Sequence, residues 1–421
     1  MSTPHAITPP APQIREVPDA HLNRALDLAS VVFHETYDKE ERERYRKALR
    51  RCDRLGAYTQ DQLVGLLAAH RLHLSVPGGQ LPCAGLTFVC VAPTHRRRGV
   101  LSTLMAQLWR DCATQGRPLA ALWASEAAIY GRYGFGAATH LSTVEIDSTR
   151  PLALRITPDP GPLRLLDAAQ APALLGPRYE ASRSRRAGRP ARDRLWWREV
   201  VLAEEDEDDD ELSPPRIVVS GSGGDPCAGY AMYRTRGGDD DGTPGLVQVY
   251  ELEADTAPVT AALWSYLASI DLTGRVRAWG RPADDPLPLI AADPDQVRVT
   301  RQFPALWLRL VDLRAALTAR AWARPVDLVL EVRDGMIPAN HGRFRLTADP
   351  AGPPNGSRCE PTTDPADLAL DIRDLAACYL GGTRLRHLAH AGLVTEHTPG
   401  ALRQLDAALR TEFLPFTHDE F

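Results

Sequence analysis

From residue 13 the apolar positions switch repeatedly between a period of 2 and a period of 3.6, so strands and helices should alternate. QIREV (13–17) predicts a short strand, and AHLNRALDLASVVF (20–33) and KEERERYRKALRR (39–51) predict two helices. RLGAYTQ (54–60) and QLVGLLAAHRLHLSV (62–76) predict two strands joined by a turn. AGLTFVCVAP (84–93) is rich in β-formers and stops at Pro93, which reads as a strand. After Gly99 the residues Val100, Leu101, Leu104, Met105, Leu108 and Cys112 share one helical face. PLAALWAS (118–125) predicts another strand, and Ser125 an N-cap for the short helix EAAIYGRY (126–133). AATHLSTVEIDS (137–148) predicts the strand that closes this unit. The order β-α-α-β-β-β-α-β-α-β fills residues 1–150, after a Pro-rich and loose first dozen.

Two more units are expected, at 151–300 and 301–421, because 421 residues exceed one ordinary core. Residues 246–270, LVQVYELEADTAPVTAALWSYLASI, repeat the strand, connection and helix of 86–112. Both helices carry a Leu-Trp pair, Leu108-Trp109 and Leu263-Trp264, but the second copy lacks the RRRG run. This predicts a duplicated fold whose second copy has lost an anion-binding turn. The acidic run Glu204–Glu211 and the GGDDDG turn 237–242 read as solvated loops. In the third unit ALWLRLVDLRAALTAR (305–320) predicts a helix, and VDLVLEVRD and GRFRLTAD predict strands. DIRDLAACYLGG predicts a helix ended by glycines. Leu402, Leu405, Leu409 and Phe413 predict a last helix that Pro415 stops.

The net charge of −5 argues against a nucleic-acid partner and suits a cationic or small neutral one. Only two lysines occur, Lys39 and Lys47, so arginine carries nearly all the positive charge, a bias expected of a GC-rich genome. Seven scattered cysteines without a C-x-x-C predict reduced, cytoplasmic thiols, with no disulfide framework and no metal site. The first residues do not read as a signal peptide, and no apolar run approaches a membrane span. SRSRRAGRPARDRLWW (182–197) mixes Arg and Trp as nucleic-acid binders do; the overall acidity favours a surface loop before a buried aromatic pair.

The distinctive chemistry lies in VCVAPTHRRRGVL (89–101). A strand, a short loop and a glycine at a helix start place free N–H groups and a positive dipole end at one point. Taken alone, the run also fits a solvated basic turn capping a core helix. It matches neither a nucleotide P-loop nor a dinucleotide-binding glycine pattern. His95 beside it reads as loop-exposed, and no His pairs with a Ser or Cys for acyl-enzyme chemistry.

With its surroundings, this unit resembles the GNAT acetyltransferase fold, whose pyrophosphate loop reads Q/R-x-x-G-x-G/A. Arg96 and Gly99 match; Leu101 departs from the small residue usual there. The run HRRRGVL, the block ASEAAIYGRYGFG, the length and the terminal Phe421 are similar to the enhanced intracellular survival (Eis) family of aminoglycoside N-acetyltransferases. The resemblance spans essentially the whole chain. It implies an α/β fold (α+β) of tandem GNAT units, catalytic at 1–150 and degenerate at 151–300. A sterol-carrier-protein-like domain at 301–421 would carry the C-terminal carboxylate.

It further implies a cytoplasmic homohexamer that uses acetyl-CoA, with no metal, nucleic acid or membrane partner, on aminoglycoside-like polyamines. Acetyl-CoA would lie along Val89, Cys90 and Val91, with its pyrophosphate on Arg97, Arg98, Gly99, Val100, Leu101 and Ser102. Ser125 and Glu126 would border the pantetheine arm. Tyr130 would be the general acid and the Phe421 carboxylate the general base, with Phe88 and Glu420 lining the substrate pocket. Asp419 and Glu420 would raise the pKa of that carboxylate. Without the resemblance, Tyr130 would read as packing, a terminal Phe as frayed and Tyr133 as structural. Two other readings stay open: a lysine N-acetyltransferase on peptides or proteins, and a lipid- or small-molecule-binding protein that uses its third domain.

Overall fold

In the computed structural model the described residues are 12–204, 209, 211–222, 227–239, 242–351 and 356–421. Most of the Pro-rich start and parts of the acidic run and the GGDDDG turn lie outside them. The first sheet begins with β1 (Gln13–Glu16), β2 (Asp53–Thr59), β3 (Gln62–Val76), β4 (Gly79–Val91), β5 (Leu119–Trp123) and β6 (Gly136–Ala137). Its helices are α1 (Leu22–Phe33), α2 (Lys39–Arg50), α3 (Val100–Thr114) and α4 (Ala127–Tyr130). A capping box starts α2: the Asp38 carboxylate accepts from the N–H of Glu40 and Glu41, and Glu41 accepts from Asp38 N–H. Ser125 does not cap α4. The N-cap position is Glu126, whose side chain makes no capping hydrogen bond.

The strand AATHLSTVEIDS does not close the first unit. As β7 (His140–Asp147) it joins the second sheet, with β8 (Leu163–Leu166), β9 (Arg216–Ser220), β10 (Gly229–Arg236), β11 (Leu246–Ala254), β12 (Arg275–Pro282) and β13 (Val297–Pro304). In return β14 (Leu306–Leu310) enters the first sheet between β5 and β6. The two sheets run β1-β2-β3-β4-β5-β14-β6 and β13-β7-β12-β11-β10-β9-β8. The equivalence is close. β4 and β5 are parallel and β14 pairs β5 antiparallel; β11 and β12 are parallel and β7 pairs β12 antiparallel. Each unit therefore lends the other one strand. Leu108 and Trp109 on α3, and Leu263 and Trp264 on the helix Ala257–Ala268, are all buried.

The helix expected over 305–320 is instead β14, a turn and a helix Leu313–Ala319 capped by Asp312. All five residues of β14 are buried, so its apolar residues run without alternation and imitate helical spacing. The third unit is a five-stranded sheet over Val326–Arg333, Gly342–Ala348, Arg358–Pro361, Leu368–Asp371 and Val394–Glu396. Helix Ile372–Tyr379 packs on β14 and β6. The last helix stops at Ala408, well short of Phe413 and Pro415. Its last carbonyls are taken elsewhere: Ala323 N–H donates to Ala408 O, and Arg320 Nη2 to Leu409 O, both at 2.9 Å.

Candidate active site

Parallel strands β4 and β5 pair from Cys83↔Leu119 to Leu86↔Leu122 and then separate, while β4 runs on to Val91. Ala92 N–H bonds Val64 O on the β3 side at 2.9 Å. By strand alternation the peptide groups of Val91 and Val89 turn to the other edge, where β5 has left. A bulge between β3 and β4 falls at Phe88, whose φ of +49° lies in the left-handed region rarely adopted by an aromatic residue. The Phe88 ring stands edge-on to Tyr45 at 5.5 Å, and Tyr45 to Tyr37 at 4.9 Å. Sequence reading named Phe88 and not the two tyrosines, Tyr37 on the connection between α1 and α2 and Tyr45 on α2, which meet it only in three dimensions. The Cys90 thiol is buried and pushed up to about 12, so it stays protonated.

The RRRG loop leads into α3 with Gly99 at its N-cap, φ +77°. Arg97 is left-handed too, at φ +62°. Left-handed residues at 97 and 99 bring the chain into the start of α3, where the first N–H groups of a helix lack intrahelical partners. Arg97, Arg98 and Gly99 are exposed, and a Cβ on Gly99 would meet nothing within 4 Å. Val100 is buried, Leu101 half-buried, and exposed Ser102 has its Oγ 3.2 Å from Tyr133 OH. The unusual Leu101 therefore turns away from the loop's open side. His95 is half-buried and hydrogen-bonded to Thr94 Oγ1 at 2.9 Å, rather than fully exposed.

Ser125 and Glu126 are exposed beyond the end of β5. Tyr130, one turn on, is buried in the cluster that holds α3. Burial pushes its phenol up to about 12, helped by the negative charge of Glu126. It is a protonated donor across the neutral range.

Phe421 reaches β3 and β4 from the opposite face of the sheet. Its ring packs into the space left by Gly85 on β4, where a Cβ would come within 2.9 Å of Phe421 Cε2. It also lies edge-on to His70 on β3 at 6.2 Å. Burial lowers His70 to about 4, with the Arg51 charge adding to the effect. Its folded pKa lies below that of the unfolded chain, about 6.5. Stability is therefore complete above about pH 6.5 and falls toward about pH 4 as the unfolded chain takes up a proton the folded one refuses. Imidazole NMR should find no His70 titration between pH 5 and 8; a midpoint near 6.5 would refute the burial argument.

Glu420 is exposed, but Asp419 does not join it in an acidic pocket. Asp419 is buried, and its Oδ1 accepts from Arg192 Nε at 2.9 Å and from Trp196 Nε1 at 3.2 Å. Burial pulls the Asp419 carboxyl up; Arg192 and His418 more than offset it, holding it below the ordinary carboxylate range.

The Arg-Trp stretch 182–197 is likewise not a surface loop. Arg183, Arg189 and Arg192 are buried beside Trp196 and Trp197. Arg189 Nη1 is 2.7 Å from Glu253 Oε1, and Arg192 Nη2 is 2.6 Å from Glu251 Oε2, both carboxylates lying on β11. Arg192 also lies over the ring of Tyr179, at 3.8 Å. The backbone of 188–191 docks on β3 through Ser75 N–H to Arg189 O and Ala191 N–H to His73 O.

A helix-start anion loop, a separated parallel strand pair, a duplicate without the loop and a third α+β unit define a tandem GNAT acetyltransferase. Residues 13–138 and 188–315 each match an acetyltransferase (GNAT) domain family, and 313–417 match the sterol carrier protein domain. The chain is 41% identical over 384 residues to an uncharacterized N-acetyltransferase of Streptomyces avermitilis, covering 90% of this chain and 91% of that one. It is 36% identical over 383 residues to N-acetyltransferase Eis of Mycobacterium tuberculosis, covering 87% and 88%. The crystal structure of Eis1 from Mycobacterium abscessus superposes with a TM-score of 0.82 at 32% identity, covering 97% of this chain and all of that one. The chain belongs to the Eis family of N-acetyltransferases.

Proposed function

We propose that the first unit transfers the acetyl group of acetyl-CoA to amines of aminoglycoside-like polyamines, with Tyr130 as general acid and the Phe421 carboxylate as general base. One observation carries the reading: the β4–β5 opening is flanked by Tyr130 on one face of the sheet and by Phe421 on the other. Acetyl-CoA supplies an activated thioester, and the residues present fit it. The open edge at Val89–Val91 would hold the arm and polarise the carbonyl, and the loop Arg97–Ser102 would hold the pyrophosphate. Tyr130 holds a proton for the departing sulfur. On the far face the carboxylate takes the proton of the amine. An α-carboxyl has a pKa of about 3.5, so its usefulness rests on placement rather than on basicity. Glu420 adds attraction for a polycation.

Thiol release from acetyl-CoA, measured against a panel of aminoglycosides, simple mono-amines and lysine peptides, tests the reading. Preference for the aminoglycosides is expected. Preference for the peptides would replace it with lysine acetylation, and no turnover on any amine, with lipid retained on the third domain, would replace it with a binding role.

Two substitutions examine the parts. Gly99→Val has room for its side chain but not the backbone: the left-handed conformation costs about 1–2 kcal/mol, more for a β-branched residue. The loop should turn its N–H groups aside, and acetyl-CoA affinity should fall by about tenfold, the equivalent of 1.4 kcal/mol. Unchanged calorimetric affinity in a folded variant would refute the loop assignment. Tyr130→Phe should lower kcat by about 10²–10⁴-fold, the usual worth of a positioned acid, and leave acetyl-CoA affinity intact. Equal kcat in the two proteins would remove Tyr130 from the chemistry.

A further inference from the structure

The last residues of the chain cross the second unit at the counterpart of the first unit's opening. β11 and β12 stop pairing at Val249↔Ala278, as β4 and β5 stop at Leu86↔Leu122. The next residues on β5 and β12, Trp123 and Trp279, stack on each other at 6.1 Å and 26°. In the first unit this opening stands beside an anion loop; in the second it holds the tail. His418 Nε2 is 2.9 Å from Glu251 Oε2 on β11. Its Cβ fills the gap at Gly280 on β12, 3.0 Å from where a glycine Cβ would stand.

One residue on, Asp419 is held on every side. Arg192 and Trp196 donate to its Oδ1, Tyr179 OH shares its proton between Pro190 O at 2.7 Å and Asp419 Oδ2 at 3.0 Å, and Trp123 Nε1 of the first unit donates to its backbone O at 2.9 Å. Arg192 itself is pinned by Glu251, whose other oxygen accepts from Tyr230 OH.

We propose that Arg192 and Asp419 are positioning residues for acetyl transfer, and that the second unit's opening has become the socket that aims Phe421 at the first. The proposal rests on the reading of the Phe421 carboxylate as the base. Two residues separate Asp419 from the chain end, at most about 7 Å of backbone. A terminal carboxylate contributes as a base only when held in place, and a misplacement of about 1 Å can cost 10²-fold. The lock also explains why a unit without an anion loop retains a dense set of buried charges: its carboxylates Glu251 and Glu253 hold arginines that hold the tail.

The test compares full-length wild type, Asp419→Asn and a chain extended by one glycine after Phe421, using an aminoglycoside and acetyl-CoA. Asn keeps the shape of Asp419 but loses the charge that holds Arg192. Three quantities are read: kcat, acetyl-CoA affinity, and the rate at which carboxypeptidase A releases Phe421 from wild type and Asp419→Asn. In Asp419→Asn, release should quicken and kcat should fall by about tenfold or more, given the steep dependence on placement. Acetyl-CoA affinity, set in the first unit, should stay at the wild-type value, a split that general unfolding would not produce.

Unchanged release overturns the lock. Faster release with wild-type kcat, while the extended chain is impaired, overturns the positioning role and leaves the base standing. Wild-type kcat in both variants overturns the base itself. Should Asp419→Asn lose the circular dichroism of the folded protein, Tyr179→Phe carries the same comparison, since it removes one donor to Asp419 and keeps the ring under Arg192.

Discussion

A single glycine added after Phe421 should abolish most turnover while leaving acetyl-CoA binding untouched. The extension moves the terminal carboxylate by up to about 3.5 Å, one residue's reach, against a tolerance near 1 Å for about 10²-fold. The Phe421 ring should remain seated at Gly85 and His70, because neither contact involves the carboxylate. Phe421→Leu reverses the comparison: it shrinks the ring and keeps the carboxylate at its place in the chain. It should retain far more activity than the extended protein. Steady-state kinetics from pH 6 to 9 at saturating acetyl-CoA decide the matter. An extended chain that turns over at the wild-type rate places the base elsewhere, with Glu420 next in line.

Arg192→Met should cost about 3–5 kcal/mol of stability, the usual penalty when one partner of a buried ion pair is removed. The side chain is buried between Asp419 and Glu251, so methionine strands two carboxylates away from water. Burial raises the Glu251 carboxyl; Arg192, His418 and Arg189 outweigh it and hold it well below the ordinary range. Both carboxyls are thus depressed in the folded protein. The stability they contribute is complete above their unfolded pKa, about 4, and is lost as pH falls through their folded values. In the variant burial acts unopposed by Arg192, so the carboxyls tend to protonate and the penalty shrinks in acid. Thermal or urea unfolding of the two proteins from pH 8 to 4 should therefore converge. A deficit below about 1 kcal/mol at neutral pH, within the range of an exposed pair, would show that Arg192 is not structurally engaged.

Trp109 and Trp264 show how much of this fold local pattern can carry. Each follows a leucine on an amphipathic or apolar helix, each helix follows a β-rich run, and both prove to be the buried helix of a duplicated unit. The loop at the start of α3 was legible for the same reason. Its strand, arginines, glycine and helix are contiguous, and contiguous chemistry survives as a spacing. Tyr130 and Phe421 came from the family resemblance, and burial then set the state of the tyrosine.

What spacing could not carry is whatever is made between distant segments. β14 is buried on both faces, so its apolar run carries no period of 2, and only its place between β5 and β6 makes it a strand. β7 does have the pattern of a strand, but which sheet it joins depends on partners more than a hundred residues away. The last helix ends where Arg320 and Ala323 claim its carbonyls, not at the proline that a local rule selects. The arginines of 182–197 and Asp419 look solvated in sequence because charge usually is. Their partners Glu251 and Glu253 lie on another strand, and a charge can leave water only where the fold supplies its opposite. Composition and period determined most elements of this protein and the loop at the start of α3; the exchange of strands and the seating of its tail were decided by burial, which no local window contains.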